Sequence, residues 1–528
     1  MSRFPRFPLL FLLACLLSPS RGRGEDFPDE KGTIPIAAWD VVPHQILSAP
    51  FTAGVVAFHE ESVSVRFTVH VAGGELEELA RTVQAPTWNP RTKVWEYVYE
   101  VDPSRIPDGP FELRAVCTPG GKGNRIVALP PLPLYANAKG TLTPGRTVYA
   151  DSAKGSDANP GTRERPLQSL AAAVQAVGDG GVIRLQPGEY SSHQLRGGRK
   201  RAHWTLITPA DGVKRTEVQI GGGRPGTDKL LFRNVAFFGD VKEGKYSCIL
   251  VGEQSSTVVW LDNCEIRNRH GRWSGYVTVF GNRYSAYITG GFCTEMQRAP
   301  GALLMRNYRI VKISEDVFTD SKVAINCVVD GVDAGDTGGH ADFHQSYIRD
   351  KALFNHGIIL YNCTGVNCKA QGFFGHNLKD SAFVNCLFVK TPNNPLLSQY
   401  SGKLDHVLFL HLTLPNQSWL WRGDLKSRNC HMINCLLPGM NISEREGADL
   451  SGITIDHNHF IDPKRAMGEN TTLGKAMFAD PPANNYHLLP GSPAGGTGRL
   501  LPTVPADCTG TAWNTARPSR GACGVQGK

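Results

Sequence analysis

The segment DGVDAGDTGGHADFHQSYIRDKALFNHG, residues 330–357, holds the densest run of side chains able to do chemistry. Read as a strand, it puts His340, Asp342 and His344 on one face and turns Ala341 and Phe343 inward. Neighbours in such a row stand roughly 6–7 Å apart, close enough to share a proton network or hold a cation between imidazole and carboxylate. Asp333 and Asp336, with Asp330, occupy the Gly-rich loop just before it and offer hard oxygen ligands of the kind calcium takes. Arg349 and Lys351 follow closely, and His356 and His376 precede later turns, so cationic side chains are at hand for an anionic substrate. A tuned base in the row, with those cations neutralising a carboxylate, is the equipment for removing a proton beside that carboxylate. The structural alternative is a polar stack that ties a long loop to the body of the protein.

Holding such a row in place requires strands, and the composition favours them. A chain of 528 residues with 41% hydrophobic and 20% charged residues can bury sizeable cores, which excludes a disordered polymer. Few heptads and 57 Gly with 35 Pro argue for a turn-rich β protein over a helical bundle. Within residues 31–135, VVAFHEESVSVRFTVHV, KVWEYVYEVD and FELRAVCTP alternate apolar and polar residues between Pro, Gly, Asn and Asp turns. That spacing predicts a small antiparallel β-sandwich. Residues 136–146 read as a linker.

A different texture runs from residue 147 to 523. Asn followed by an apolar or Cys residue recurs at Asn234, Asn263, Asn307, Asn326, Asn385, Asn434 and Asn458, with Leu412 where one more Asn is expected. A drifting period near 22 residues marks a solenoid of three short strands per turn. Stacked Asn amides can hydrogen-bond along the axis. The cysteines that follow Asn (Cys264, Cys327, Cys363, Cys368, Cys386, Cys430 and Cys435) then stack as small buried hydrophobes. Only Cys508 and Cys523 read as disulfide candidates.

The first twenty residues, MSRFPRFPLLFLLACLLSPS, read as a secretory signal with a basic start and a short apolar run. Leu-Leu-Ala-Cys15 resembles a lipoprotein box, but two leucines follow it, so ordinary cleavage is expected. No later stretch is long and apolar enough to span a bilayer. Removing Arg3 and Arg6 takes the formal charge from +8 to +6, which suits a polyanionic partner without demanding one. A nucleic-acid role has no motif to support it. A secreted, periplasmic or cell-surface monomer is the expectation.

The stretch TVYADSAKGSDANPGTRERPLQSLAAAVQAVGDGGVIRLQPGEY closely resembles the N-terminal cap of secreted right-handed parallel β-helix proteins of the pectate-lyase-like superfamily. MFADPPANNYHLLPGSPAGGTG resembles their final coil and exit, and PDGPFELRAV the penultimate strand of an immunoglobulin-like or fibronectin-like domain. GHADFHQ resembles an H-x-D-x-x-Q motif of the same superfamily. The resemblance implies an all-β chain: a sandwich, then a right-handed parallel β-helix whose open end is covered by the helix SLAAAVQAV.

It also implies a polymer held along an outer face. The expected function is action on an acidic polysaccharide, first as an eliminative lyase working through His340, Asp342 and His344 with a possible calcium ion. A non-catalytic carbohydrate-binding or surface scaffold is the alternative, and a glycoside hydrolase the third. The Asn-Thr-Asp, Asp-Asp, Gly-His-Gly and Arg-Ile-Lys series of polygalacturonase-like hydrolases does not occur in order. The basic segment RGGRKRAHW, residues 196–204, and the aromatics Trp260, Trp273, Trp419 and Trp421 are further candidates for sugar contact.

Overall fold

Glycine, asparagine and histidine tolerate a left-handed backbone, and this chain uses them to turn the same corner in coil after coil. The computed structural model describes residue 27 and residues 31–526, apart from 193–194, 196–199, 222–227, 240–257, 269–285, 320, 336–340, 349, 351–352, 392–396, 444–446 and 514–516. The expected signal segment lies outside the described residues.

The protein is all-β, with a parallel β-helix-like solenoid behind a sandwich that is antiparallel except where Leu132–Ala136 pairs in parallel with Ile46–Leu47. The solenoid's first strand, Thr147–Ala150, pairs in parallel with Val182–Leu185, and the pairing continues coil by coil to Ile453–Asp456. A second stack, which includes Gly188–Ser191, Arg309–Ile313, Val328–Asp333 and Thr364–Lys369, runs beside it. A third stack develops later, where Asp342–Ser346 pairs with Gln371–Val384. The helix Leu170–Ala176 caps the open end: Ser169 Oγ accepts from Ala172 N at 3.1 Å, and Leu170, Ala173 and Val174 are buried. Arg201, from the basic segment, bonds the Val174 carbonyl at 2.7 Å and Thr205 Oγ1 at 2.8 Å; it holds the cap and does not face a ligand.

The corner between the first and second stacks is occupied by Asn234, Asn263, Gly290, Asn307, Asn326, Asn362, Asn385, His411, Asn434 and His457, all at φ between +51° and +67°. The expectation had put Leu412 and Asn458 in this series. The strand register puts His411 and His457 there instead, because histidine also tolerates this backbone. The amides bond in pairs, Asn263 to Asn234 at 2.7 Å and Asn326 to Asn307 at 2.6 Å, and Asn434 Nδ2 meets His411 Nε2 at 2.9 Å. Each residue after the corner turns inward, so Cys264, Cys327, Cys363, Cys386 and Cys435 are buried free thiols. Burial pushes the Cys264 and Cys435 thiols up to about 12, which leaves them inert at neutral pH. The sulfurs of Cys508 and Cys523 lie 3.0 Å apart, side by side and not bonded.

In the sandwich, the run read as one alternating segment is two strands of opposite sheets, Phe51–Phe58 and Val63–Val71. Val63–Val71 alternates as a strand with one covered face should. Phe51–Phe58 is buried from Ala53 onward on both faces, because its second face lies against the solenoid. That seam gathers Ile36, Val56 and Phe58 from the sandwich with Trp260, Ile325, Tyr361 and Leu410 from the first stack. Phe58 meets Tyr361 edge-on at 5.0 Å, Tyr361 Oη donates to the Trp95 carbonyl at 3.1 Å, and Trp204 Nε1 donates to the Pro43 carbonyl at 2.6 Å. Buried Asp40 anchors Arg91 at 2.9 Å and Arg306 at 3.3 Å. The C-terminal tail closes the seam: Leu501 and Val504 join it, and Thr503 Oγ1 donates to the His59 carbonyl at 3.0 Å.

The seam predicts that Phe58→Ala and Tyr361→Ala each cost about 3–5 kcal/mol in denaturant unfolding. Because the rings touch, the double variant is expected to fall short of the sum by about 0.5–1.5 kcal/mol.

Candidate functional site

The second-stack strand Arg309–Ile313 is followed by Ser314, Glu315 and Asp316; one coil on, the chain returns at the strand Asp342–Ser346. Val317 N donates to the Asp342 carbonyl at 3.0 Å, which sets Asp316 beside Asp342, and Asp342 is in register with Gln371 on the following coil. Two carboxylates and an amide thus line one column. Asp316 is 3% exposed and Asp342 fully buried. Arg298 ties the column to the surface, with Nε 2.7 Å from Glu315 and Nη2 3.5 Å from Asp316. Gln297 donates to the other oxygen of Glu315, and Gln345 Nε2 donates to Asp342 Oδ2 at 3.0 Å.

Burial and the neighbouring Asp342 carboxylate push the Asp316 carboxyl up to about 7, against the pull of Arg298. Its Oδ1 is buried with no hydrogen-bond partner among the described residues. A carboxyl half-protonated near neutral pH beside a second carboxylate can give or take a proton, the division of labour acid–base sites require. Sequence reasoning missed Asp316, Glu315 and Arg298. The one available signal was the separation of Asp316 from Asp342, about one coil of the repeat.

Of the expected site residues, His340, Asp336, Arg349 and Lys351 lie outside the described residues. Asp342 and His344 do not share an exposed face. His344 is sealed between the Phe373 and Phe383 rings, 4.9 Å from the latter, and burial takes its pKa down to about 3. Both faces of the strand Asp342–Ser346 are covered, Phe343 lying against Phe318 and Phe388 and His344 against Phe373 and Phe383. Asp333 receives the Gly335 amide at 2.8 Å and faces Lys369 Nζ at 3.9 Å. His356 is exposed, in register with Lys379, and burial of part of its ring together with the Lys322 charge lowers its pKa. His376 lies within the strand Gln371–Val384, with its ring 5.4 Å from Tyr347. Trp419 and Trp421 share a face as expected, but it is the inward one, where Trp419 stacks on Tyr400 at 5.2 Å. Trp260 belongs to the seam.

The open surface is the outer face of the second stack. Arg309 pairs with Asp330 at 3.2 Å, Asn367 Nδ2 donates to Asp330 at 2.8 Å, and Lys312 pairs with Glu295 at 3.7 Å. Arg309 and Lys369 each keep 62% of the side chain exposed. Arg215 lies over the Phe292 ring at 5.3 Å. Two cavities lie elsewhere, about 480 Å³ in the C-terminal tail beside Asp507, Trp513 and Arg517, and about 450 Å³ in the sandwich beside Arg81, Tyr99 and Arg105. No described helix is long and apolar enough to cross a membrane.

A family described as "Protein of unknown function (DUF1565)" matches residues 153–391. No curated protein matches the chain. Among solved structures, a rhamnogalacturonan lyase is similar at 12% identity over 64% of this chain and 91% of its own, with a TM-score of 0.32. The GH136 lacto-N-biosidase from Eubacterium ramulus is similar at 12% identity over 62% and 68%, TM-score 0.27. XylC in complex with xylose is similar at 8% identity over 71% and 98%, TM-score 0.29.

The raised Asp316 carboxyl sets a pH dependence. A carboxyl whose folded pKa lies above its unfolded value of about 3.9 binds more protons when folded, so stability is complete below that value and is lost as pH rises through about 7. Asp316→Asn is expected to flatten the melting-temperature profile between those limits and to be more stable than the parent at pH 8, by the order of 2–4 kcal/mol.

Proposed function

We propose that this chain acts on a polysaccharide laid along the outer face of the second strand stack, with Asp316 and Asp342 as its acid–base pair. The observation that carries the reading is the Asp316 carboxyl, held near pH 7 and left with an unbonded oxygen beside a second carboxylate. Buried carboxyls left in that state lower stability, and sites of chemistry are where proteins keep them. The outer face supplies the rest. Charged side chains recur there from coil to coil, at a strand spacing of about 4.8 Å, and a repeating surface suits a ligand that itself repeats.

With this pair, hydrolysis is favoured over elimination. Protonated Asp316 would protonate the leaving glycosidic oxygen while the Asp342 carboxylate stabilises the developing cation or activates water. Elimination through His344 would need a substrate to reach a ring enclosed by Phe373 and Phe383. A second reading, a binding scaffold without turnover, draws on the seclusion of the same pair, since Asp342 has no exposed surface. Calcium at Asp333 and Asp336 remains part of the proposal, as does export of the chain.

The test is a panel of pectate, alginate and glycosaminoglycans, with calcium and with chelator, read for new reducing ends and for the ultraviolet absorbance of unsaturated uronate. New reducing ends without that absorbance, reduced about 10²–10⁴-fold in Asp316→Asn and Asp342→Asn, are the expected result. Absorbance that rises and is lost in His344→Gln would return the reaction to elimination. Retention on affinity gels without turnover would establish the scaffold.

A further inference from the structure

The turn from one sandwich sheet to the other, just after Phe51–Phe58, carries His59 and Glu60. It meets two successive solenoid coils at His406 and His431. His59, Glu60 and His406 each offer one ligand atom within 4.8 Å of the other two. His431 Nε2 approaches Glu60 Oε1 to 3.7 Å.

The hydrogen bonds fix what these groups present. The Glu61 amide donates to His59 Nδ1 at 3.0 Å, and a backbone N–H can only donate, so that nitrogen carries a lone pair. His59 Nε2 then donates to Thr33 Oγ1 at 2.9 Å. Nδ1 nevertheless faces Glu60 Oε2 at 3.5 Å, two electron-rich atoms turned toward each other. His406 gives its Nδ1 proton to Asp380 at 3.0 Å, which leaves Nε2 bare. That Nε2 is buried without a hydrogen-bond partner among the described residues, in a ring 3% exposed, and Glu60 Oε2 and His431 Nδ1 are likewise unpartnered among them. Glu60 Oε2 and His406 Nε2 are thus buried acceptors with no donor to meet them, and a cation between them would satisfy both. A carboxylate holding the far nitrogen of a histidine is also the outer-shell device that orients metal ligands.

We infer that His59, Glu60 and His406, with His431 beside them, form a binding site for one divalent transition-metal ion of the zinc class, which staples the sandwich to the solenoid. Imidazole and carboxylate ligands fit zinc and its neighbours and are a poor set for calcium, which takes oxygen alone. Closing the ligands onto zinc at about 2.0–2.2 Å requires side-chain shifts of order 1 Å. The inference stands apart from the proposed function, since it uses none of the residues assigned to acid–base work.

The test uses full-length protein stripped with chelator and dialysed, then titrated with zinc by calorimetry and with cobalt by its visible d–d absorption. The expected result is one equivalent bound, with a tetrahedral cobalt spectrum that zinc displaces. Glu60→Gln and His406→Gln are expected to abolish stoichiometric uptake, Asp380→Asn to weaken it about 10–100-fold, and His356→Gln to leave it unchanged. Folding of each variant is checked by its melting curve, and the wild-type cobalt spectrum reports on the ligands whether or not a variant folds. No stoichiometric uptake by the wild type, or uptake unchanged in both Glu60→Gln and His406→Gln, would overturn the inference.

Discussion

The structure depends on one left-handed residue at the same corner of each coil. In most side chains that backbone is strained, and asparagine, histidine and glycine carry it at low cost. The corner fixes where the first strand stack ends and the second begins. It therefore fixes which residues point inward, because a slip of one position would turn every following side chain to the opposite face. The buried thiol after so many of the corner asparagines follows from this geometry: the next position has to be small and apolar to fit against the coils above and below. Asn385 and Asn434 extend the same rule to the tail by bonding the Ala506 and Arg499 carbonyls.

What is left for function is set by what that scaffold covers. The sandwich takes the outer face of the first stack, and the tail takes part of the second, where Tyr486, Ala522 and Cys523 lie on Val366, Leu387 and Val389. The earlier coils of the second stack remain open, carrying paired charges that contribute little to stability, as exposed ion pairs generally do. The Asp316–Asp342 column stands at the edge of that face. Its polarity is out of keeping with its burial, whereas Asp40, buried in the seam, is engaged by two arginines.

Much of the fold was legible. The Asn-Cys pairs announced a repeat, and the cap helix stands where the sequence placed it. The corner at His411 and His457 was not, because the expectation followed residue identity where the backbone accepts a class of residues. The site was less legible. Alternation along GHADFHQ assumed a strand with one wet face, yet aromatic rings from other parts of the solenoid cover both faces of Asp342–Ser346, and no local pattern reports what a neighbouring coil will cover. The continuous burial of Phe51–Phe58 had its signal in VVAF, an apolar run without alternation. The meeting of His59 with His406 left no sequence trace, being a contact between distant elements.

The bond from Thr503 to His59 joins positions 444 apart in the chain. During synthesis at about 5–20 residues per second, the sandwich would wait roughly 20–90 s for the segment that completes its seam. Through that interval the second face of Phe51–Phe58 is covered only as each new coil is added, so the solenoid grows against a surface already made. The sandwich is thereby a template along which the solenoid is laid down, and the segment around Thr503 locks the two together.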